Sequence, residues 1–156
     1  MKLNDAFILI SRASLAAEKH ASRILSEYDL TLSQYKFLKF LNSVPDFTVR
    51  IIDLQKVFSI THPTAIEIVR SLEKKGFAVK QAASENSRIH YICLTPKGKA
   101  MAEKLSGVAD MLETETTRNL NAQERSELMA LLRKLQGEEL SNVEEYTDRM
   151  TALQNN

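Results

Sequence analysis

The apolar residues of this chain change their spacing twice, and those two changes restrict the fold more than any other feature. Up to Gly76 they recur every three or four positions, as on a helix face. Across Phe77–Gln81 and Ile89–Leu94 the pattern becomes strand-like, and at Thr95-Pro96 the helical spacing returns. The segment between the two strands, residues 82–88, is polar and lacks apolar bulk. This predicts one β-hairpin with a long tip, set into an otherwise helical chain. The expected class is mainly α with a small β-hairpin (α+β). Only 4 Gly and 3 Pro punctuate 156 residues, so the helices should be long.

Helix starts are legible. Thr31-Leu32-Ser33-Gln34 is a capping box whose helix turns Tyr35, Leu38 and Leu41 inward and stops near Pro45. A short helix from about Arg50 to Phe58 buries Ile51, Leu54 and Phe58, and Ser59-Ile60 turns the chain. Thr61 caps the next helix, with Pro63 in its first turn, where a missing N–H costs nothing. That helix runs to Lys75 and ends at Gly76. Thr95-Pro96 opens a helix carrying Met101, Leu105, Val108 and Leu112 on one face. Asn121 through Glu124 form a further capping box.

Both chain ends carry more apolar surface than a compact centre requires. Phe7, Ile10, Ser14, Ala17, Ala21, Ile24 and Tyr28 form a seam on a helix over about residues 4–28, with a middle small enough for close approach by a partner helix. That seam can equally pack on its own domain, and its two ends can differ. Leu128, Leu131, Leu132 and Leu135 form a second stripe, continued past Gly137 by Leu140, Val143, Tyr146, Met150 and Leu153.

Charge is unevenly spread although the net is +1. Residues 61–99 hold 7 basic against 3 acidic side chains, residues 1–60 hold 8 against 6, and residues 100–156 hold 6 against 11. A basic centre with an acidic tail suits a chain that offers its middle to a polyanion. The single cysteine excludes an internal disulfide framework and suits a reducing, cytoplasmic setting. No stretch reaches the ~20 apolar residues of a membrane span, and no signal peptide is read. His20, His62 and His90 are scattered without metal-ligand spacing, so no metal or cofactor is expected. No phosphate loop or nucleophile constellation is present, which argues against an enzyme. Cys93 reads as a small packing residue.

Two short helices, a tight turn and then a hairpin make a winged helix-turn-helix plan. In the second helix Ala65, Ile68, Val69 and Leu72 must face the core, leaving His62, Pro63, Ile66, Glu67 and Arg70 outward with Thr64 beside them. Ile60-Thr61-His62-Pro63-Thr64, Ile68-Val69 and Leu72 through Phe77 resemble the recognition helix and its exit in MarR-type transcription regulators. Leu30-Thr31 with Gln34 is similar to the start of their second helix. Arg88, Ile92 and Leu94-Thr95-Pro96-Lys97-Gly98 resemble their returning wing strand and next helix, and Asn121 through Leu135 their last helix. The ordered set, over about residues 30–135, is the signal, since no single motif is specific.

That resemblance implies a homodimer on double-stranded DNA at a near-palindromic operator, commonly as a repressor, and frequently released by a small lipophilic ligand. It divides the chain into an N-terminal dimerisation helix (1–29), a winged helix-turn-helix domain (30–95) and C-terminal dimerisation helices (96–156). It assigns DNA contact to Thr61, His62, Pro63, Thr64, Ile66, Glu67 and Arg70 of the recognition helix and to Asn86, Ser87 and Arg88 of the wing. Dimer contact falls to Phe7, Ile10, Ala17, Leu128, Leu132 and Leu135.

Three positions depart from the family pattern. Asn86 stands where an acid usually precedes the wing arginine, and it can hydrogen-bond Arg88 only without charge assistance. Ile66 and Glu67 stand where polar or basic residues are common. Ile66 can pack on a thymine methyl. Glu67 can accept from cytosine N4 or pair with Arg70 at i, i+3. The second is favoured, because a carboxylate near phosphates is repelled. A dimeric winged-helix interaction module without operator binding is the competing reading.

Overall fold

A computed structural model describes residues 5–137, together with Asp148 and Ala152. The expected stripe from Leu140 to Leu153 lies outside the described residues, as do Met1 to Asn4.

Seven described helices and one hairpin follow the order α1 (Ala6–Ser26), α2 (Leu32–Asn42), α3 (Ile51–Phe58), α4 (His62–Lys74), β1 (Ala78–Ala82), β2 (His90–Leu94), α5 (Pro96–Lys104), α6 (Val108–Thr117) and α7 (Ala122–Gln136). The strands pair antiparallel with Ala78 opposite Leu94 and Ala82 opposite His90.

Capping chemistry sets most of these boundaries. Thr31 Oγ1 accepts from the Gln34 N–H, and the Gln34 side chain accepts from the Thr31 N–H. Asn121 and Glu124 repeat that exchange at α7. At α3 the work falls to Asp53, whose buried carboxylate accepts from the Arg50 N–H at 2.8 Å. Between α3 and α4 the chain reverses in one residue: Ser59 is left-handed (φ 50°), and the Ile60 N–H donates back to Gln55. Such a φ disfavours most side chains, and a small polar serine tolerates it.

The core lies under α2. Phe37 and Leu38 are fully enclosed with Leu25, Leu54, Leu72 and Leu105. Phe37 stacks on Phe58 at 4.9 Å, and Phe40 meets the same ring edge-on at 5.8 Å. Burial on nearly every side of α2 exceeds the one-sided stripe expected from Tyr35, Leu38 and Leu41. α1 divides into two regimes. Ala21, Ile24 and Leu25 are buried, whereas Phe7, Leu9, Ile10 and Leu15 stand in solvent.

The face expected to run unbroken from Met101 to Leu112 is interrupted. α5 ends at Lys104, the Ser106 and Val108 N–H groups donate only three residues back, and α6 starts afresh at Val108. Ser106-Gly107 explains the break, since both are poor helix formers side by side. The inward burial of Leu105 and Val108 survives it.

The candidate nucleic-acid interface

The geometry of α4 begins at Thr61. Its Oγ1 accepts from the Thr64 N–H and sits 2.9 Å from the Thr64 hydroxyl, so the first turn is held with Thr61, His62, Pro63 and Thr64 all exposed. Ala65, Val69 and Leu72 are buried beneath. Gln34 fixes the tilt: its amide donates to Ser71 Oγ at 3.0 Å, and its carbonyl oxygen accepts from Lys75 at 3.2 Å. A buried side chain of α2 thus serves as cap for its own helix and clamp for α4, and burial keeps both bonds from competing with water. Lys75 also reaches the Asp29 carbonyl, and its ion pair with the Asp29 carboxylate spans 3.4 Å.

Four expectations about this face and the wing need correction. Ile66 is half-buried rather than exposed, and Ile68, placed in the core by its spacing, is half-buried too. The apolar arc is therefore wider and shallower than the strict i, i+3, i+4 pattern suggests. Glu67 and Arg70 form no ion pair: both are exposed and project independently. Long exposed side chains give up rotamer freedom to pair, and for a surface pair the gain is about 0–1 kcal/mol. Asn86 makes no hydrogen bond to Arg88. Ser87 shapes the wing tip instead, its N–H donating to Ser84 O and its Oγ accepting from the Ile89 N–H, both at 3.0 Å. Ser87 is half-buried, and Asn86 and Arg88 are exposed.

The hairpin is anchored at its base. The Ile92 N–H donates to Val49 O at 2.8 Å, which ties β2 to the loop before α3. Lys99 on α5 bonds Asp46 in that loop at 2.7 Å, and this hydrogen bond, with the charge of Asp46, raises the Lys99 pKa. Thr95 closes the exit, donating through Oγ1 to Gly76 O and through its N–H to Phe77 O. Lys80 on β1 meets Glu73 on α4 at 3.9 Å. Wing and α4 are thereby held to one frame.

Among the described residues Arg70, Lys74 and Arg88 have no ion-pair partner, whereas Lys75, Lys80 and Lys99 do. The three paired lysines brace the domain, whereas Arg70 and Lys74 of α4 and Arg88 of the wing tip stand exposed. Gln55 was missed by sequence reasoning: its Oε1 lies 2.8 Å from His62 Nδ1, across seven residues and a turn. No periodicity reports such a contact. The dimerisation residues divide: Phe7, Ile10, Leu128, Leu132 and Leu135 are exposed, and Ala17 is half-buried.

A capped helix displayed beyond a short partner helix, with a braced hairpin beside it, defines a winged helix-turn-helix protein. No family model matches the chain. Among curated proteins it is 25% identical over 127 residues to the HTH-type transcriptional repressor Rv2887 of Mycobacterium tuberculosis, covering 81% of this chain and 90% of that one. It is 27% identical over 131 residues to the HTH-type transcriptional regulator SarZ of Staphylococcus aureus, covering 84% and 83%. Among solved structures, a mutant MarR from E. coli complexed with operator DNA superposes with a TM-score of 0.71 at 26% identity, covering 81% of this chain and 90% of that one. In fold and in sequence the chain is similar to winged helix-turn-helix transcription regulators, MarR among them.

Proposed function

We propose that this regulator binds a near-palindromic operator as a homodimer and represses transcription from it. One observation carries the reading: Arg70 and Lys74 of α4 and Arg88 of the wing tip are exposed together on the face of the capped helix and hairpin, and none has an ion-pair partner among the described residues. Phosphates would supply the missing partners and release counterions. The N-terminal end of α4, the positive end of its dipole, suits the same polyanion.

Thr61, His62, Pro63, Thr64, Glu67 and Arg70 would meet the major groove, with Ile66 at its margin, and Asn86, Ser87 and Arg88 the minor groove. The second copy would cover α7, in which only Arg125 is even half-buried, together with Phe7 and Ile10 of α1. In that reading residues 1–29 and 96–156 dimerise and 30–95 bind DNA. Relatives solved with DNA and with salicylic acid support operator binding and release by a small lipophilic ligand. Such a role needs no bond chemistry and places the protein with the DNA, in the cytoplasm; no described helix is long and apolar enough to cross a membrane.

The test is DNA affinity of the purified chain against salt. Log affinity should fall linearly with log salt, with a slope of several units for several neutralised phosphates. A flat profile would favour the interaction-module reading.

A further inference from the structure

One side chain on the outward face of α4 is already engaged with another element. His62 is exposed, yet its Nδ1 lies 2.8 Å from the amide oxygen of Gln55, a half-buried residue of α3. The reversal at Ser59 brings the two together, and the Ile60 N–H donating to the Gln55 carbonyl holds the turn at that same residue. The imidazole is therefore aimed by α3 although it belongs to α4. The other ring nitrogen, Nε2, belongs to an exposed side chain and makes no hydrogen bond to the described residues.

We infer that Gln55 is a positioning residue for sequence reading: it fixes the His62 tautomer, and so decides whether Nε2 offers the major groove a lone pair or a proton. This rests on the operator-binding reading above. An amide oxygen can only accept, so in the neutral ring the proton must sit on Nδ1, and Nε2 becomes an acceptor. An unconstrained neutral histidine prefers its proton on Nε2, so the contact reverses the polarity of the reading edge. An outward acceptor pairs with an exocyclic amino group, N6 of adenine or N4 of cytosine. At the same place thymine offers O4, and guanine offers O6 and N7, all acceptors. The pair therefore selects adenine or cytosine on the contacted strand. Exposed to water the bond is weak, but docking on DNA removes the competing water.

Two measurements on the full chain test this. The first needs no DNA: nitrogen-15 NMR of the His62 ring at about pH 8, where an ordinary histidine is neutral. Wild type should show Nδ1 protonated and Nε2 bare, and Gln55→Leu should shift the proton to Nε2. The second is selection of bound sites from randomised DNA, using wild type, Gln55→Leu, His62→Ala and the double variant. Wild type should prefer adenine or cytosine at one base pair per half-site by about fivefold, the scale of one hydrogen bond. Gln55→Leu should lose or invert that preference at that pair alone, and the double variant should match His62→Ala.

A proton on Nε2 in a wild-type chain that binds DNA, with guanine or thymine preferred, overturns the proposal and leaves operator binding intact. Preference unchanged in Gln55→Leu, or lost equally at every position with a lowered Tm, overturns it too. A proton on Nδ1 in a chain that binds no DNA overturns the operator reading, and this proposal with it.

Discussion

Position 98 has no room for a methyl group. A Cβ built on Gly98 would lie 1.9 Å from the carbonyl oxygen of Phe77, a backbone atom that also accepts the Thr95 N–H. Relief requires the start of α5 to move off the start of β1, breaking the Thr95 bonds that set the hairpin's exit. Gly98→Ala is expected to destabilise by about 1–3 kcal/mol, the range for overpacking, and thermal unfolding would show it. Gly107→Ala is the control, because nothing lies within 4 Å of its added methyl and its backbone is already helical. Equal melting temperatures for the two variants would refute the close-approach argument. The same scale separates the roles of two arginines. Arg88→Ala should lower DNA affinity, reduce the salt slope by about one per subunit and relax preference only at A·T-rich flanks. Arg70→Ala should cost ~1–3 kcal/mol if Arg70 reads a guanine, with preference relaxed inside the half-site. Because Asn86 does not bond Arg88, Asn86→Ala should leave the melting temperature near wild type and cost less affinity than Arg88→Ala, losing only the contact of Asn86 itself. An Asn86→Ala variant that copied Arg88→Ala in both would restore a structural role for the pair.

Elements were legible wherever a local code writes them. The Thr31, Thr61, Thr95 and Asn121 caps stand where the sequence puts them, because each is an exchange between residues three apart. Contacts closed by tertiary approach were not. The Gln34–Ser71 clamp spans 37 residues, and the Ile92–Val49 bond joins a strand to an irregular loop. The interruption after Lys104 was hidden because burial stays in register across it, so apolar spacing looked continuous. α7 is the opposite case, an element whose local signals are complete and whose packing is absent. Its capping box is formed, yet Leu131 is 65% and Leu135 63% exposed, and no α7 residue is buried. An apolar stripe on a capped helix in water needs a partner surface. Replacing Leu131 and Leu135 together by Glu should dissociate the dimer and leave the winged domain folded, since neither residue contributes to that core. Sedimentation at micromolar concentration alongside far-UV circular dichroism checks both halves. A dimer that survives the double substitution would move the interface elsewhere.

At the scale of the whole molecule, the wing, α4 and α2 behave as one rigid reading head. The Gln34 clamp joins α2 to α4, the Lys80–Glu73 pair joins β1 to α4, and the Ile92–Val49 bond ties β2 to the loop before α3. A dimer that also holds its two heads at one separation fixes the spacing of the half-sites it can read. Two inverted half-sites should then lie about one helical turn apart, ~10 bp centre to centre, so that both α4 helices approach the same side of the duplex. Inserting about 5 bp between half-sites turns one of them to the far side, and DNA of that length is too stiff to twist back at small cost. Affinity should fall toward the non-specific level, and inserting about 10 bp should not repair it fully, because the heads cannot move apart to follow. Partial recovery at a full turn with none at a half turn would indicate that the heads swing on α1 and α6. Affinity indifferent to both insertions would mean that only one half-site is read at a time. Titrating the three duplexes at one salt concentration separates these cases, since the electrostatic contribution of the phosphates is the same in each.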